Sequence, residues 1–253
     1  MNSNFPLVNI MGINVNICTQ NQAVDEVFKF FSEKSLHIVH TINPEFILTA
    51  QEDKLYAEIL NGAALAVPDG IGVIKAAKFQ GVSMPERVGG CDLTLKILER
   101  MQNSNFSVYF LGASQQRLDK ALYNLKQKFP NLKIAGSHNG YFKDDDDEMI
   151  IEDINNSNAD FLVIGLGGIK KQETWIWKYK DRLNVKVSIG VGGSIDVYSG
   201  EIKRAPKWCQ KLNLEWLYRT LQEPKKRLKR VYRLPYFLYL AFKDSKIKNK
   251  SQK

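Results

Sequence analysis

Short apolar runs rich in β-branched residues alternate along the chain with segments of helical periodicity. The runs predict buried strands over Leu36–Ile42, Ala63–Val67, Phe106–Leu111, Leu132–Ala135, Asp160–Leu166 and Val185–Ile189. The segments between them predict helices over Pro44–Leu60, Ile71–Phe79, Leu93–Gln102, Gln115–Phe129, Glu148–Asn156 and Gln172–Asp181. Two further elements precede these, a strand or hairpin over Val8–Cys18 and an amphipathic helix over Ala23–Phe31. This alternation predicts an α/β fold in which a mostly parallel sheet carries helices on both faces.

The C-terminal part of the chain departs from this alternation. Beyond Pro206, the segment Trp208–Gln222 is aromatic and has a helical pattern, and Pro224 ends it. The last ten residues are rich in lysine and predict disorder. We therefore divide the chain into a core domain, residues 1–205, and a basic helical appendage, residues 206–253, that is not a second core.

Composition excludes several classes of protein. The chain has 253 residues, of which 44% are hydrophobic and 25% charged, and this is ordinary for a globular protein rather than a collagen-like or disordered one. A chain of this length can fold without a disulfide or metal staple. Its three widely spaced cysteines favour buried thiols in a reducing cytosol. We find neither an apolar run as long as a membrane-spanning helix nor the features of a signal peptide.

The positive charge is concentrated in the appendage. The chain has a net charge of +9, but residues 203–253 contain 16 basic and three acidic side chains, while the first 202 residues have a net charge of −4. Such asymmetry indicates a polyanionic partner, either nucleic acid or an anionic membrane face. Aromatic residues lie among these cations, at Trp208, Trp216, Tyr218, Tyr232, Tyr236, Phe237, Tyr239 and Phe242. The mixture favours an interfacial membrane helix over nucleic-acid binding, and a packing helix with a solvated basic face is the remaining alternative.

Several glycine-rich segments follow the predicted strands. They contain Gly112, Gly167, Gly192 and Gly193. In an open parallel sheet, ligands bind at the carboxyl ends of the strands, where glycines let backbone N–H groups approach a phosphate. The segments predict a site for a phosphate-bearing small molecule such as a nucleotide, although each of them alone is equally typical of a tight turn. Neither a dinucleotide-binding fingerprint nor a Walker A spacing is present.

Asp69 is the most prominent acidic candidate. It follows a predicted strand and Pro68, and it precedes Gly70-Ile71-Gly72. A carboxylate at this position is either the N-cap of the next helix or a general base that faces the crevice. Arg87 lies in the next polar cluster and is either a bidentate clamp for a diphosphate or a partner in a surface ion pair with Glu86 or Asp92, the latter being the expected cap of the following helix.

Other polar groups have structural interpretations. The acidic run from Asp144 to Glu148 precedes an apolar segment, which favours a solvated loop and helix start over a metal site. His37 and His40 lie within an apolar strand and are expected to be structural, and the histidines have no metal-ligand spacing. No nucleophile elbow and no Cys/His pair indicates acyl transfer.

Taken in order, several segments resemble the WecG/TagA/CpsF glycosyltransferase family. They are Thr41-Ile42-Asn43-Pro44-Glu45, Pro68-Asp69-Gly70-Ile71-Gly72, Pro85-Glu86-Arg87-Val88, Gln172-Glu173-Thr174-Trp175-Ile176, Gly200-Glu201-Ile202-Lys203-Arg204-Ala205-Pro206, and Leu214-Glu215-Trp216-Leu217-Tyr218-Arg219 with Glu223-Pro224. The resemblance extends from about Val8 to Phe242. One departure is Lys170, which stands where members usually have proline.

The resemblance implies an inverting glycosyltransferase with a Rossmann-like catalytic domain and an appendage that aids membrane attachment and completes the site. Its members move an N-acetylmannosamine-type sugar from a UDP donor to polyprenyl-diphosphate-linked N-acetylglucosamine, at the inner face of the cytoplasmic membrane, during assembly of teichoic acid, capsule or common antigen. No cofactor and no metal are expected. The site residues that the resemblance implies are Asp69 as catalytic base, Thr41 and Asn43 beside it, Arg87 and Gln172 as substrate contacts, and Arg219, Arg227 and Arg230 at the diphosphate.

Two other classes of function remain as alternatives. A non-enzymatic module that binds nucleic acid or nucleotides through the basic appendage would not need Asp69. A soluble enzyme that modifies nucleotide sugars would act without a lipid acceptor. We expect the membrane-associated transferase, with no nucleic-acid partner and with self-association possible.

Overall fold

A computed structural model of the chain describes residues 3–206, 208, 209, 215–222 and 224–251, and it describes no side chains at 215, 216, 219, 222, 224–231 and 249–251. The strands are β1 (Leu7–Ile10), β2 (Ile13–Asn16), β3 (His37–Ile42), β4 (Leu65–Pro68), β5 (Ser107–Gly112), β6 (Lys133–His138), β7 (Phe161–Gly165) and β8 (Val187–Gly190). The helices are α1 (Gln20–Phe30), α2 (Pro44–Glu52), α3 (Lys54–Asn61), α4 (Ile71–Phe79), α5 (Gly90–Met101), α6 (Gln115–Lys128), α7 (Asp147–Asn156), α8 (Lys171–Tyr179), α9 (Ser194–Tyr198), α10 (Glu215–Gln222) and α11 (Pro224–Ser251). A single 3₁₀ turn, Asp144–Asp146, precedes α7.

Six of the strands form one parallel sheet in the order β4-β3-β8-β7-β5-β6, which confirms the predicted α/β fold. The chain leaves β5 for β6 on one side, whereas it leaves β7 for β8 on the other. In open α/β sheets, connections that leave neighbouring strands in opposite directions, as those of β5 and β7 do, mark the place where a ligand-binding crevice is expected. Strands β1 and β2 form a separate antiparallel hairpin, so the hairpin, and not the single strand, is the correct one of the two alternatives predicted for Val8–Cys18.

Both faces of the sheet are buried, which explains why its strands are continuously apolar. On β5, Val108 and Phe110 pack toward α1, α5 and α6, while Tyr109 and Leu111 pack toward α7 and α8. Alternation with a period of two therefore sends neighbouring residues into two different layers of core. A third cluster joins α2, α3 and α4 to the β1–β2 hairpin and to α11.

The predicted helix Pro44–Leu60 is wrong in one respect, because it is two helices. Asp53 adopts an extended conformation between α2 and α3, and its carboxylate accepts a hydrogen bond from the Tyr56 N–H at 3.0 Å as the N-cap of α3. The apolar periodicity continues across this residue, so that the pattern alone conceals the break. The capping preference of aspartate is the local signal that marks it.

The expected disorder of the last ten residues is also not observed over the described range, because α11 continues to Ser251. Near its end, Lys248 Nζ pairs with Asp244 at 2.9 Å and donates to the Asn9 carbonyl of the hairpin at 2.9 Å. Phe237 and Ala241 of the same helix are buried against α2 and α4. Packing and these polar contacts thus order a segment whose composition alone predicts disorder. None of the described helices is both long enough and apolar enough to cross a membrane.

Candidate functional site

Asp69 lies directly after β4, at the carboxyl edge of the sheet. Its backbone N–H donates to the Ile42 carbonyl at 2.7 Å, which extends the pairing of β3 with β4 by one residue. Gly70, with φ of +100°, then turns the chain into α4 and is itself the N-cap of that helix, with no side-chain cap. Asp69 therefore does not cap α4, and its carboxylate is directed toward the start of α5.

The Asp69 carboxylate meets a guanidinium and a helix N-terminus. Its Oδ2 accepts from the Gly90 N–H at 3.3 Å, and its Oδ1 lies 3.7 Å from Arg87 Nη1. The segment that carries Arg87 is held in place because the Val88 N–H donates to the Pro68 carbonyl at 2.8 Å. The Asp69 side chain remains 29% exposed, so that its carboxylate is also accessible to a molecule in the adjoining cavity.

Thr41 and Asn43 form the neighbouring wall at the end of β3. A Cβ on Gly90 would lie 3.0 Å from Thr41 Cγ2, so that glycine is what allows the start of α5 to approach this buried threonine. Asn43 is the N-cap of α2, where its Oδ1 accepts from the Glu45 and Phe46 N–H groups at 2.9 and 3.1 Å. Because this amide is engaged in a cap, Asn43 shapes the wall as well as bordering the cavity.

These side chains surround a cavity of about 290 Å³. Its lining comes from the ends of three strands, the starts of four helices and the appendage: Thr41, Asn43, Pro44, Glu45, Leu48, Asp69, Gly70, Ile71, Gly72, Arg87, Gly89, Gly90, Cys91, Asp92, Val191, Ser194, Arg204, Thr220, Arg233 and Leu234. Among the residues that the structure describes, three arginines and three carboxylates thus border one space. That arrangement suits a ligand that carries both hydroxyl groups and negative charge.

Asp92 differs from its predicted role as a cap. Helix α5 begins at Gly90 rather than at Leu93, its N-cap is Gly89, and Asp92 lies in its first turn. Asp92 Oδ2 forms an ion pair with Arg204 Nη2 and lies 3.9 Å from Arg87 Nη2. Arg87 accordingly contacts two of the cavity's carboxylates, whereas Glu86 accepts a hydrogen bond from the Gln20 N–H at 2.7 Å instead.

The predicted glycine residues lie at the same edge of the sheet but not in this lining. Gly112, with φ of +144°, packs so closely on β7 that a Cβ there would lie 2.4 Å from the Gly165 carbonyl oxygen. Gly167 has open space around its Cα, as does Gly192, which follows β8 with φ of +51°. Gly193 is the N-cap of α9. Gly112 is therefore buried against β7, whereas Gly167 is exposed at the loop that follows β7.

Gln172 is buried behind the loop after β8. Its Oε1 accepts from the Gly192 N–H at 3.0 Å, and its Nε2 donates to the Glu173 carboxylate at 2.6 Å. Burial raises the pKa of Glu173, which also accepts from the Tyr56 hydroxyl at 3.5 Å. Both ends of the Gln172 amide thus hold protein groups. The residue positions the loop from Val191 to Ser194, whose two end residues line the cavity.

Lys170 shows how this loop differs from a proline-containing one. It is the N-cap of α8 with φ of +75°, a value that the proline ring does not permit. Its Nζ instead pairs with Asp53 at 2.6 Å, which joins the loop after β7 to the break between α2 and α3.

The other polar candidates are mostly structural. Burial of His40 in β3 lowers its pKa to about 4, and burial of the Cys18 thiol raises its pKa to about 12. The prediction of a solvated acidic run is wrong for Asp147, which is buried and accepts from Trp175 Nε1 at 2.8 Å. Helix α7 begins there and turns this carboxylate toward the donors of α8. Within the described part of the chain, no three His, Cys, Asp or Glu side chains form a metal-binding group.

Sequence reasoning found four residues that the fold brings to the cavity, namely Thr41, Asn43, Asp69 and Arg87. It gave no role to Arg204, Thr220 and Arg233. The available signal was that Arg204 lies in the segment Gly200–Pro206, one of those that carry the family resemblance. The side chains of Arg219, Arg227 and Arg230 lie outside the described residues.

Comparisons with known proteins match nearly the whole chain. The model of the family described as "Glycosyl transferase WecG/TagA/CpsF family" matches residues 8–252. Relatives from Staphylococcus aureus strains MW2 and MRSA252 are each 35% identical over 99% of this chain and 97% of their own length. Each is named N-acetylglucosaminyldiphosphoundecaprenol N-acetyl-beta-D-mannosaminyltransferase.

Proposed function

The chain belongs to the WecG/TagA/CpsF glycosyltransferase family, and from that premise we propose that it transfers an N-acetylmannosaminyl group from a UDP donor to N-acetylglucosamine on a polyprenyl diphosphate. The names of the staphylococcal relatives support this sugar and this lipid-linked acceptor. The product would be an early intermediate of a cell-surface polysaccharide. Membership in a transferase family also favours an enzyme over the alternative of a non-enzymatic binding module.

The observation that carries the proposal is the Asp69 carboxylate, which borders the cavity beside Arg87. A sugar hydroxyl is a weak acid, so its attack on an anomeric carbon is assisted when a carboxylate accepts its proton as the new bond forms. In the proposed step, the acceptor oxygen bonds to the anomeric carbon, its proton passes to Asp69, and the bond to the β-phosphate oxygen breaks. The electron pair of that bond leaves with UDP, and attack from the opposite side inverts the anomeric configuration.

The leaving diphosphate has to be stabilised as its negative charge develops. Arg87 from the core and Arg233 from α11 line the cavity and have the planar donors that match phosphate oxygens. Arg219, Arg227 and Arg230 remain further candidates for this task. We assign the nucleotide to the crevice between β5 and β7, where Gly167 of the loop after β7 is exposed and leaves its backbone open to a ligand.

Helix α11 has two different faces, and this supports attachment to a membrane. Phe237, Ala241 and Ser245 are buried against the core at spacings of four residues. On the other side, Tyr232, Tyr236, Tyr239 and Phe242 are exposed, and Lys243 and Lys246 follow them. Tyrosine favours the headgroup layer of a bilayer and lysine favours anionic lipid. We propose that this face rests on the membrane that contains the acceptor, which would combine the packing-helix and membrane-helix interpretations in one element.

The test is to incubate the full chain with a panel of UDP-sugars and a short-chain polyprenyl-diphosphate N-acetylglucosamine. Mass spectrometry of the lipid product should show the addition of one N-acetylhexosamine, and NMR should show an inverted anomeric linkage. Asp69→Asn serves as the matched control because it keeps the size of the side chain but removes the base. Release of free sugar without a lipid product, or a retained configuration, would contradict the proposal.

A further inference from the structure

The ion pair between Asp92 and Arg204 lies in the wall of the candidate site, and neither residue takes part in the proposed transfer reaction. Arg204 Nη2 contacts Asp92 Oδ2, and Arg87 Nη2 lies 3.9 Å from the same oxygen. One carboxylate is therefore placed between two guanidinium groups. Both arginines also line the cavity, and their side chains are 21% and 24% exposed.

A diphosphate that enters the cavity brings charge of the same sign as Asp92. The described lining already balances three arginines with the carboxylates of Glu45, Asp69 and Asp92. Bidentate contacts to phosphate use the same guanidinium N–H groups that hold a carboxylate. An entering diphosphate and Asp92 would therefore compete for Arg204 and Arg87.

Asp92 has an alternative position within its own helix. Lys96 lies one turn further along α5, and an acidic residue four positions before a lysine is a favourable helical pair. Asp92, Lys96 and Arg204 also border a second hollow of about 230 Å³, and Asp69 is not part of its described lining. A change of rotamer would carry the Asp92 carboxylate away from Arg87 and toward the Lys96 ammonium, which donates to Asn21 Oδ1 at 2.9 Å in this structure.

We propose that Arg204 is a phosphate-binding residue of this site and that Asp92 is its internal counter-anion, which the diphosphate of a substrate displaces. This inference rests on the proposed function, since it requires a diphosphate ester in the cavity. It assigns Arg204 to the core-domain side of the site, separate from the arginines of the appendage. The shared chemistry is that of a diphosphate, carried by both the nucleotide donor and the lipid-linked acceptor.

Two substitutions should change diphosphate affinity in opposite directions. Arg204→Ala removes a charge-assisted contact and should weaken binding at least about tenfold. Asp92→Asn removes the competing charge and should tighten binding of the same ligand several-fold. If the pair were only a structural link, breaking it from either side would have the same effect. Arg204→Lys keeps the charge but loses the fork, so its loss of affinity should be intermediate.

The experiment is calorimetric titration of the full chain at constant ionic strength, in separate arms with UDP and with the short-chain lipid-linked acceptor. The arm that responds identifies which diphosphate lies on Arg204. Arg100→Ala and Asp25→Asn are matched controls. They break an exposed Arg–Asp pair whose arginine lies on α5, the helix that also carries Asp92, and they should leave both affinities unchanged. Thermal unfolding of every variant confirms that it is folded, and Arg204→Lys replaces Arg204→Ala if the latter is not.

Opposite shifts in one arm support the proposal. Shifts in the same direction overturn it, as does an Asp92→Asn variant that does not bind more tightly or an Arg204→Ala variant that binds both ligands like wild type. Because binding is measured without turnover, the outcome is separate from that of the proposed reaction. If Arg204→Ala transfers the sugar with a normal KM for both substrates, the proposed function is supported and this inference is refuted. If the two variants shift diphosphate affinity in opposite directions but no lipid product forms, this inference is supported and the proposed function is refuted.

Discussion

A single methyl group on Gly72 would test whether helix α11 has to lie against α4 for the site to work. A Cβ at this position would lie 2.6 Å from Pro44 Cγ and 2.8 Å from Leu234 Cδ1. The Pro44 ring is held at the start of α2, so α4 has to shift away from it, and the Leu234 side chain of α11 has to yield as well. Overpacking of this kind costs about 1–3 kcal/mol, and the better helix propensity of alanine offsets up to about 1 kcal/mol of that cost.

We therefore expect Gly72→Ala to weaken docking of α11 by about 1–2 kcal/mol, which corresponds to a factor of roughly 5–30. Arg233 and Leu234 line the cavity from this helix, so kcat/KM for transfer should fall by a similar factor. Limited proteolysis within α11 should become faster, while the melting temperature of the parallel sheet should change little, because that sheet makes its own core.

Two variants make the test specific. Leu234→Val removes the clashing Cδ1, so the double variant with Gly72→Ala should lose less than the sum of the two single losses. Lys75→Ala changes an exposed residue on the same helix and should leave both readouts unchanged. Wild-type proteolysis and turnover in Gly72→Ala would refute the conclusion that docking of α11 completes the site.

Three further predictions address the chemistry, the core and the membrane face. Asp69→Asn should lower kcat by about 10²–10⁴-fold while UDP affinity stays within a few-fold, and near-normal turnover in steady-state assays would exclude Asp69 as the base. Burial lowers the pKa of His40 to about 4, so the folded state excludes its proton. As the pH falls below 6.5, the unfolded chain takes up this proton while the folded protein does not, so the free energy of unfolding should be about 2 kcal/mol lower at pH 5 than at neutral pH. Urea unfolding measures this loss, and His40→Leu should lack it. Replacing Tyr236 and Tyr239 by serine should reduce sedimentation with anionic vesicles, with turnover on a short-chain acceptor as the control, and undiminished sedimentation would contradict the membrane role of this face.

Local patterns were sufficient for most of the fold. Continuous apolar runs such as Asp160–Leu166 predicted strands buried on both faces, and β7 lies within that run. Alternation of strands and helices then predicted a parallel sheet, because parallel strands need a long crossover connection and that connection is usually a helix. The errors occurred where one residue outweighed a pattern, as at Asp53, or where distant contacts order a polar segment, as for the end of α11.

The sequence by itself determined which polar residues lie at strand ends, and this was enough to bring Thr41, Asn43 and Asp69 to one place, because all parallel strands end at the same edge. Arg87 lies between α4 and α5, and the hydrogen bond of its neighbour Val88 to Pro68 brings it there. Only the tertiary structure decided what each of them touches. Asp92 meets Arg204 across 112 positions of the chain, and Gln172 meets Gly192 across a loop. Such pairs leave no periodic signal in the sequence, since the packing of whole helices and loops sets their distance. The same packing turned Asp69 away from the start of α4 and toward the cavity.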